Sequence, residues 1–292
     1  MGAGAAGRQI EFCIVNRRTI RPSVAGPDGR HGAMKGSGQM QPSDEAKTGS
    51  NPQASDSSAT APGPTLGRTL AQIAGIWALS DIGFYVVLPW LGLPARYNTD
   101  PVTVSVHYLY WIGIAVITFW PLYARWPRYG QWPTFENRLT SYLIWTLAFG
   151  GCAMFATFVL PSLPPLEWTE AWTPPELRVA TSAYFLPKSV EILFQQLLIV
   201  AFVLCLAEQN ISLLRISIYC ALSFGATHLL LAFGGVPTAY VVRFMVSATV
   251  FGSIFPYLVL RVPNGLAYAY VIHWIYYAAS VLLAHLVFAP GR

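Results

Sequence analysis

From residue 69 onward the chain alternates long apolar runs with short polar loops. Seven runs approach or exceed 20 residues, the length that crosses about 30 Å of hydrocarbon as a helix. They cover 69–93, 104–123, 139–160, 184–206, 211–233, 238–260 and 266–289. Tryptophans gather at their ends (Trp90, Trp120, Trp126, Trp132, Trp168 and Trp172), as expected of an interfacial belt. Pro121, Pro187 and Pro256 fall inside or at the mouths of runs, where neighbouring helices can satisfy the freed carbonyls. The pattern predicts an all-α polytopic transmembrane helix bundle of about seven to eight spans. No internal repeat is evident.

Before residue 69 the pattern is absent. The stretch "MKGSGQMQPSDEAKTGSNPQASDSSATAPGPTLG" is rich in Gly, Ser and Pro and nearly free of large apolar residues. It cannot bury enough surface to offset chain entropy, so residues 1–68 are expected to form a disordered segment and 69–292 the membrane domain. The segment lacks the tripartite design of a secretory signal. "MGAGAA" has Ala6 where a myristoylation site needs Ser or Thr. Met34 and Met40 are alternative starts to Met1.

Composition sharpens this division. The chain is 54% hydrophobic and 11% charged, with mean hydropathy +0.46. A soluble domain averages about 25% charged residues. Residues 1–68 hold 13 of the 31 charged side chains, and the other 18 are spread over 224 positions, mostly in loops. The net charge of +5 is therefore no footprint for nucleic acid; basic loops report orientation instead. Arg68, Arg125, Arg128, Arg138, Arg215 and Arg261 agree on one side, whereas "LEWTEAWTPPELR" is acidic. This distribution predicts a cytoplasmic N-terminus. The four cysteines show no CxxC spacing, so neither a disulfide nor a zinc knuckle is expected.

Chemistry is sought among the ionisable groups inside the runs: Asp81, His107, Glu191, His228, Arg243, His273 and His285. His107 and His285 lie toward span ends, where water or headgroups can solvate them. Asp81 is expected to pair with Arg243. Glu191, His228 and His273 all lie in the last four spans and are expected to share one site. A carboxylate with two imidazoles can activate water and stabilise an oxyanion. Two histidines and a glutamate also match a catalytic zinc ligand set, but HExxH is missing. No cofactor is favoured, and a divalent metal such as zinc is compatible with the residue types. Counted along the spans, His273 is offset from the other two by roughly 12–15 Å at 1.5 Å per residue.

"VEILFQQ" (190–196), "SFGATH" (223–228) and "HWIYY" (273–277) follow the order and spacing of three motifs written EExxxR, FxxxH and HxxxN. The region 180–285 thereby resembles the CAAX prenyl protease and bacteriocin-processing (CPBP) family of intramembrane peptidases. The resemblance implies catalytic roles for Glu191, His228 and His273. Gln195, Phe224, Tyr277 and Arg243 would then be binding or supporting residues. Val190, Gln195 and Tyr277 stand where the family carries Glu, Arg and Asn. Two functions are therefore expected as alternatives. One is an intramembrane endopeptidase that cleaves a membrane-embedded or lipidated peptide. The other is a catalytically degenerate member that binds such a peptide, or lipid, as an adaptor or immunity protein.

Overall fold

The structure is a computed structural model of the 292-residue chain, and it describes residues 66–93, 95–128, 135–164, 176–177, 179–234 and 236–287. The segment expected to be disordered lies outside these residues up to position 65. Its last three positions, 66–68, instead form the first turn of a helix.

Seven helices are long and apolar enough to cross a membrane, so the chain is an integral multi-pass helical bundle. Among the described residues there is no strand. We label them α1 (Leu66–Ile82), α2 (Pro101–Tyr123), α3 (Phe135–Met154), α4 (Phe185–Glu208), α5 (Leu213–Thr227), α6 (Thr238–Arg261) and α7 (Gly265–Val287). Two of them continue past a wider turn. α1 passes through a π segment, Gly83–Val87, to Trp90, and α3 passes through Phe155–Val159 to Ser162. Such π turns are rare and local. At the first, Gly83 has no Cβ to obstruct the ring of His107, whose Cε1 would lie 2.9 Å from one. His107 donates from Nε2 to the Ser80 carbonyl at 3.2 Å. Its bond joins two helices, contrary to the expectation that headgroups or water solvate it. His285 likewise donates from Nδ1 to the Pro164 carbonyl at 2.7 Å.

α4 is the most hydrophobic and most buried span, and it contributes to all three apolar clusters. Phe194, Leu198 and Ala201 face α1 and α2; Val200, Val203 and Leu204 face α5 and α6; Phe185 and Ile192 face α7 and the end of α3. This all-round burial suits a helix that is apolar on every face. α5 and α6 pack as an antiparallel pair. Gly252 on α6 lies against the α5 backbone, with a Cβ there only 2.9 Å from Ala221 Cα and the Cys220 carbonyl oxygen. Small residues at such crossings let helices gain van der Waals contact where lipid offers no hydrophobic drive.

The expected Asp81–Arg243 pair does not form. α1 packs on α2 and α4, whereas α6 packs on α5 and α7. Arg243 donates to Ser280 Oγ on α7 at 3.0 Å. Among the described residues the ion pairs are Arg125–Glu208 and Lys188–Glu191. Cys152, Cys205 and Cys220 are free thiols.

Candidate functional site

Glu191 sits in the second turn of α4, one turn after Lys188, so both side chains emerge on the same face of the helix. Lys188 Nζ lies 2.7 Å from Glu191 Oε2, with both side chains about 10% exposed. Gln195, one turn further on, donates from Nε2 to Oε1 at 2.8 Å. A third donor arrives from outside the helix: the Tyr97 hydroxyl bonds Oε2 at 2.6 Å. The carboxylate thus holds three donors, two on one oxygen and one on the other.

Tyr97 belongs to the α1–α2 loop, and polar contacts with the segment before α4 place it. Its backbone N–H donates to Glu176 Oε2 at 2.9 Å, and Asn98 Oδ1 accepts from the Thr181 N–H at 2.8 Å. Burial, and then the adjacent Glu191 carboxylate, hold the Tyr97 phenol well above its ordinary value, so it stays protonated and donates. Tyr108 on α2 extends the network, its hydroxyl 3.0 Å from that of Tyr97.

The two histidines lie around one ring. His228 is the first residue past α5, where the helix tightens into a 3₁₀ turn from His228 to Gly234. Its Nδ1–H donates to the Phe224 carbonyl at 2.9 Å, and its ring meets that of Phe224 edge-on at 5.2 Å. His273, in the third turn of α7, meets Phe224 at 6.1 Å and stacks on Tyr277 at 5.5 Å. Lys188 Nζ lies 4.4 Å above the centre of the Tyr277 ring, close enough for a cation–π contact.

These contacts make a chain: Glu191, Lys188, Tyr277, His273, Phe224, His228. No hydrogen bond joins Glu191 to either histidine among the described residues, so the three are neighbours through intermediaries. Lys188 and the Tyr277 ring stand between Glu191 and His273. His273 is 7% exposed, and its Nδ1 has no hydrogen-bond partner among the described residues. Phe224 and Tyr277 belong to the chain of contacts, and Gln195 joins it through its bond to Glu191. Arg243, tied to Ser280, does not.

Val190, where the resembled motif has its first glutamate, packs against the apolar cluster of α1, α2 and α4. Adjacent positions on a helix differ by about 100°, so Glu191 cannot stand in for it. Sequence reasoning passed over Lys188 and Tyr97. The first carried a signal, a lysine three residues before the glutamate within one span; the second carried none. Among the described residues, no three His, Cys, Asp or Glu side chains form a cluster that could hold a metal ion.

No protein-family model, curated protein or solved structure matches this chain.

Proposed function

We propose that the chain is a multi-pass membrane protein, with its N-terminus in the cytoplasm, that binds a membrane-embedded or lipidated peptide without cutting it. One observation carries the reading: every oxygen of the buried Glu191 carboxylate is engaged, by Lys188 and Tyr97 on one side and Gln195 on the other. A carboxylate offers about four lone-pair sites, and three donors leave at most one for the proton a general base removes. A carboxylate neutralised by a lysine one turn away instead anchors a rigid polar floor within the bundle. Val190 adds support, since an apolar side chain occupies the position of the first glutamate in the resembled motif. The cytoplasmic N-terminus follows from the basic loops; reporters fused at either end would be exposed on opposite faces of the membrane.

A second reading, the intramembrane endopeptidase, is favoured by the histidines. His228 and His273 flank one phenylalanine, and His273 keeps a bare Nδ1. In that reading Glu191 takes the proton from water and the imidazoles relay it and stabilise the oxyanion.

One experiment separates the two. The purified full-length protein in lipid nanodiscs is incubated with a library of fluorescent membrane-spanning and lipidated peptides. The expected result is saturable retention of intact peptide, little changed by Glu191→Gln. Cleavage by the wild type that falls by about 10²–10⁴ in Glu191→Gln, the effect of losing a general base, would overturn the binding reading.

A further inference from the structure

A groove of about 370 Å³ runs between α1, α4 and α5. Its walls are almost wholly apolar, with Leu70, Ile73 and Trp77 on one side and Leu198, Phe202 and Phe224 on the other. It opens sideways toward lipid, for Ala74, Ala78 and Ser223 on its rim are exposed. Between Leu70 and Asp81 it follows α1 for about 16 Å at 1.5 Å per residue, roughly half the hydrocarbon thickness.

One carboxylate, Asp81, lines this groove. It lies about 22 Å along the helix from Leu66 and about 13 Å from Trp90. Aspartate has a single methylene, too short to reach an interface as lysine and arginine do. Trp77, one turn earlier on α1, lines the groove beside it. No cation lies against it among the described residues. An intramembrane carboxylate in that position normally pairs with a positive group.

We propose that the groove docks a membrane-spanning peptide segment carrying one basic residue in its apolar stretch, and that this cation pairs with Asp81. The proposal rests on the chain being a binder of membrane peptides and names which peptides it takes. Charge complementarity selects the occupant. A lysine or arginine within a spanning helix bears the same cost as Asp81, and pairing relieves both. The alanines at positions 74 and 78, one turn apart, let the incoming backbone approach α1. Phe224 lines the groove, and its ring also meets those of His228 and His273 edge-on. A docked segment therefore lies one ring away from the polar cluster.

The test uses the full chain in nanodiscs and two labelled apolar peptides of about 20 residues, one with a central lysine and one with leucine there. Energy transfer reports binding. The lysine peptide is expected to bind roughly threefold to twentyfold more tightly, the span of measured intramembrane polar contacts. Asp81→Asn should abolish that preference, whereas Asp81→Glu, which keeps the charge, should retain it. A preference that persists in Asp81→Asn, or no preference in a wild type that binds both, overturns the proposal. So does Asp81-dependent binding of a long-chain alkylamine with no binding of either peptide, which would make the ligand a lipid. Equal binding of both intact peptides leaves the binder reading standing while removing Asp81 from it. Asp81-dependent binding followed by Glu191-dependent cleavage does the reverse.

Discussion

Replacing Lys188 by methionine tests the arrangement at its centre. Methionine keeps an unbranched apolar stem of similar length and deletes the charge. At 2.7 Å the Lys188–Glu191 attraction amounts to about 6 kcal/mol for an effective dielectric constant near 20. Stripping water from each ion costs several kcal/mol, so the intact pair contributes little net stability. Deleting one partner is different. Glu191 would remain buried with Tyr97 and Gln195 but no counter-charge, and Tyr277 would lose the cation above its ring. The expected loss is about 3–5 kcal/mol. Removing both charges, as Lys188→Met with Glu191→Met, should recover most of that loss and bring stability to within about 1–2 kcal/mol of the wild type. Equilibrium unfolding in mixed detergent micelles, run as a double-mutant cycle, measures both quantities. A loss below about 1 kcal/mol in the single variant would equal a surface pair and refute the buried, mutually dependent network. Simple additivity of the two single losses would refute it as well.

Tyr97→Phe removes one charge-assisted donor and should cost about 1.5–3 kcal/mol near neutral pH. Because the folded-state pKa of Tyr97 is raised, its contribution is present below about pH 10 and is lost as pH climbs through the higher folded value. The melting gap between wild type and Tyr97→Phe should therefore narrow above pH 10; a constant gap would contradict the assignment. Gly252→Ala drives a methyl group into the α5 backbone and should cost about 1–3 kcal/mol, measured as a lowered melting temperature in detergent. Gly113→Ala, which meets nothing within 4 Å, is the matched control.

The spans were legible because hydrocarbon imposes one requirement on a sequence, a sufficient apolar length, and that requirement is local. The seven runs and the seven helices coincide to within a few residues. The start of α1 at Leu66 was obscured because Gly67 and Arg68 resemble the polar segment before them, although Arg68 can snorkel. Pairing between spans was less legible. Asp81 and Arg243 looked complementary as the two most conspicuous opposite charges, but nothing in spacing says which helices adjoin. Lys188 was readable from its position one turn before Glu191, had the span been scanned for its own counter-ion. Tyr97 was not, because its place depends on Asn98 and Glu176 bridging two loops that are 78 residues apart or more. The groove beside Asp81 is a property of three helices together and has no one-dimensional trace.

The ion pair on α4 also bears on how the chain enters the membrane in the first place. Read as separate charges, a lysine and a glutamate in the first two turns of a span would each add part of the roughly 2.5–3.5 kcal/mol that a charge costs at a helix centre. Here they are three residues apart on one helix, so the nascent segment brings its own counter-ion and can partition as a neutral unit before it packs against any other span. Gln195 is on the same helix and is available equally early; Tyr97, from a different segment, tightens the network once the bundle gathers. The central helix is thus self-sufficient during biogenesis. A variant lacking Lys188 is handicapped at the translocon, where less protein is integrated, quite apart from the stability of the molecules that succeed.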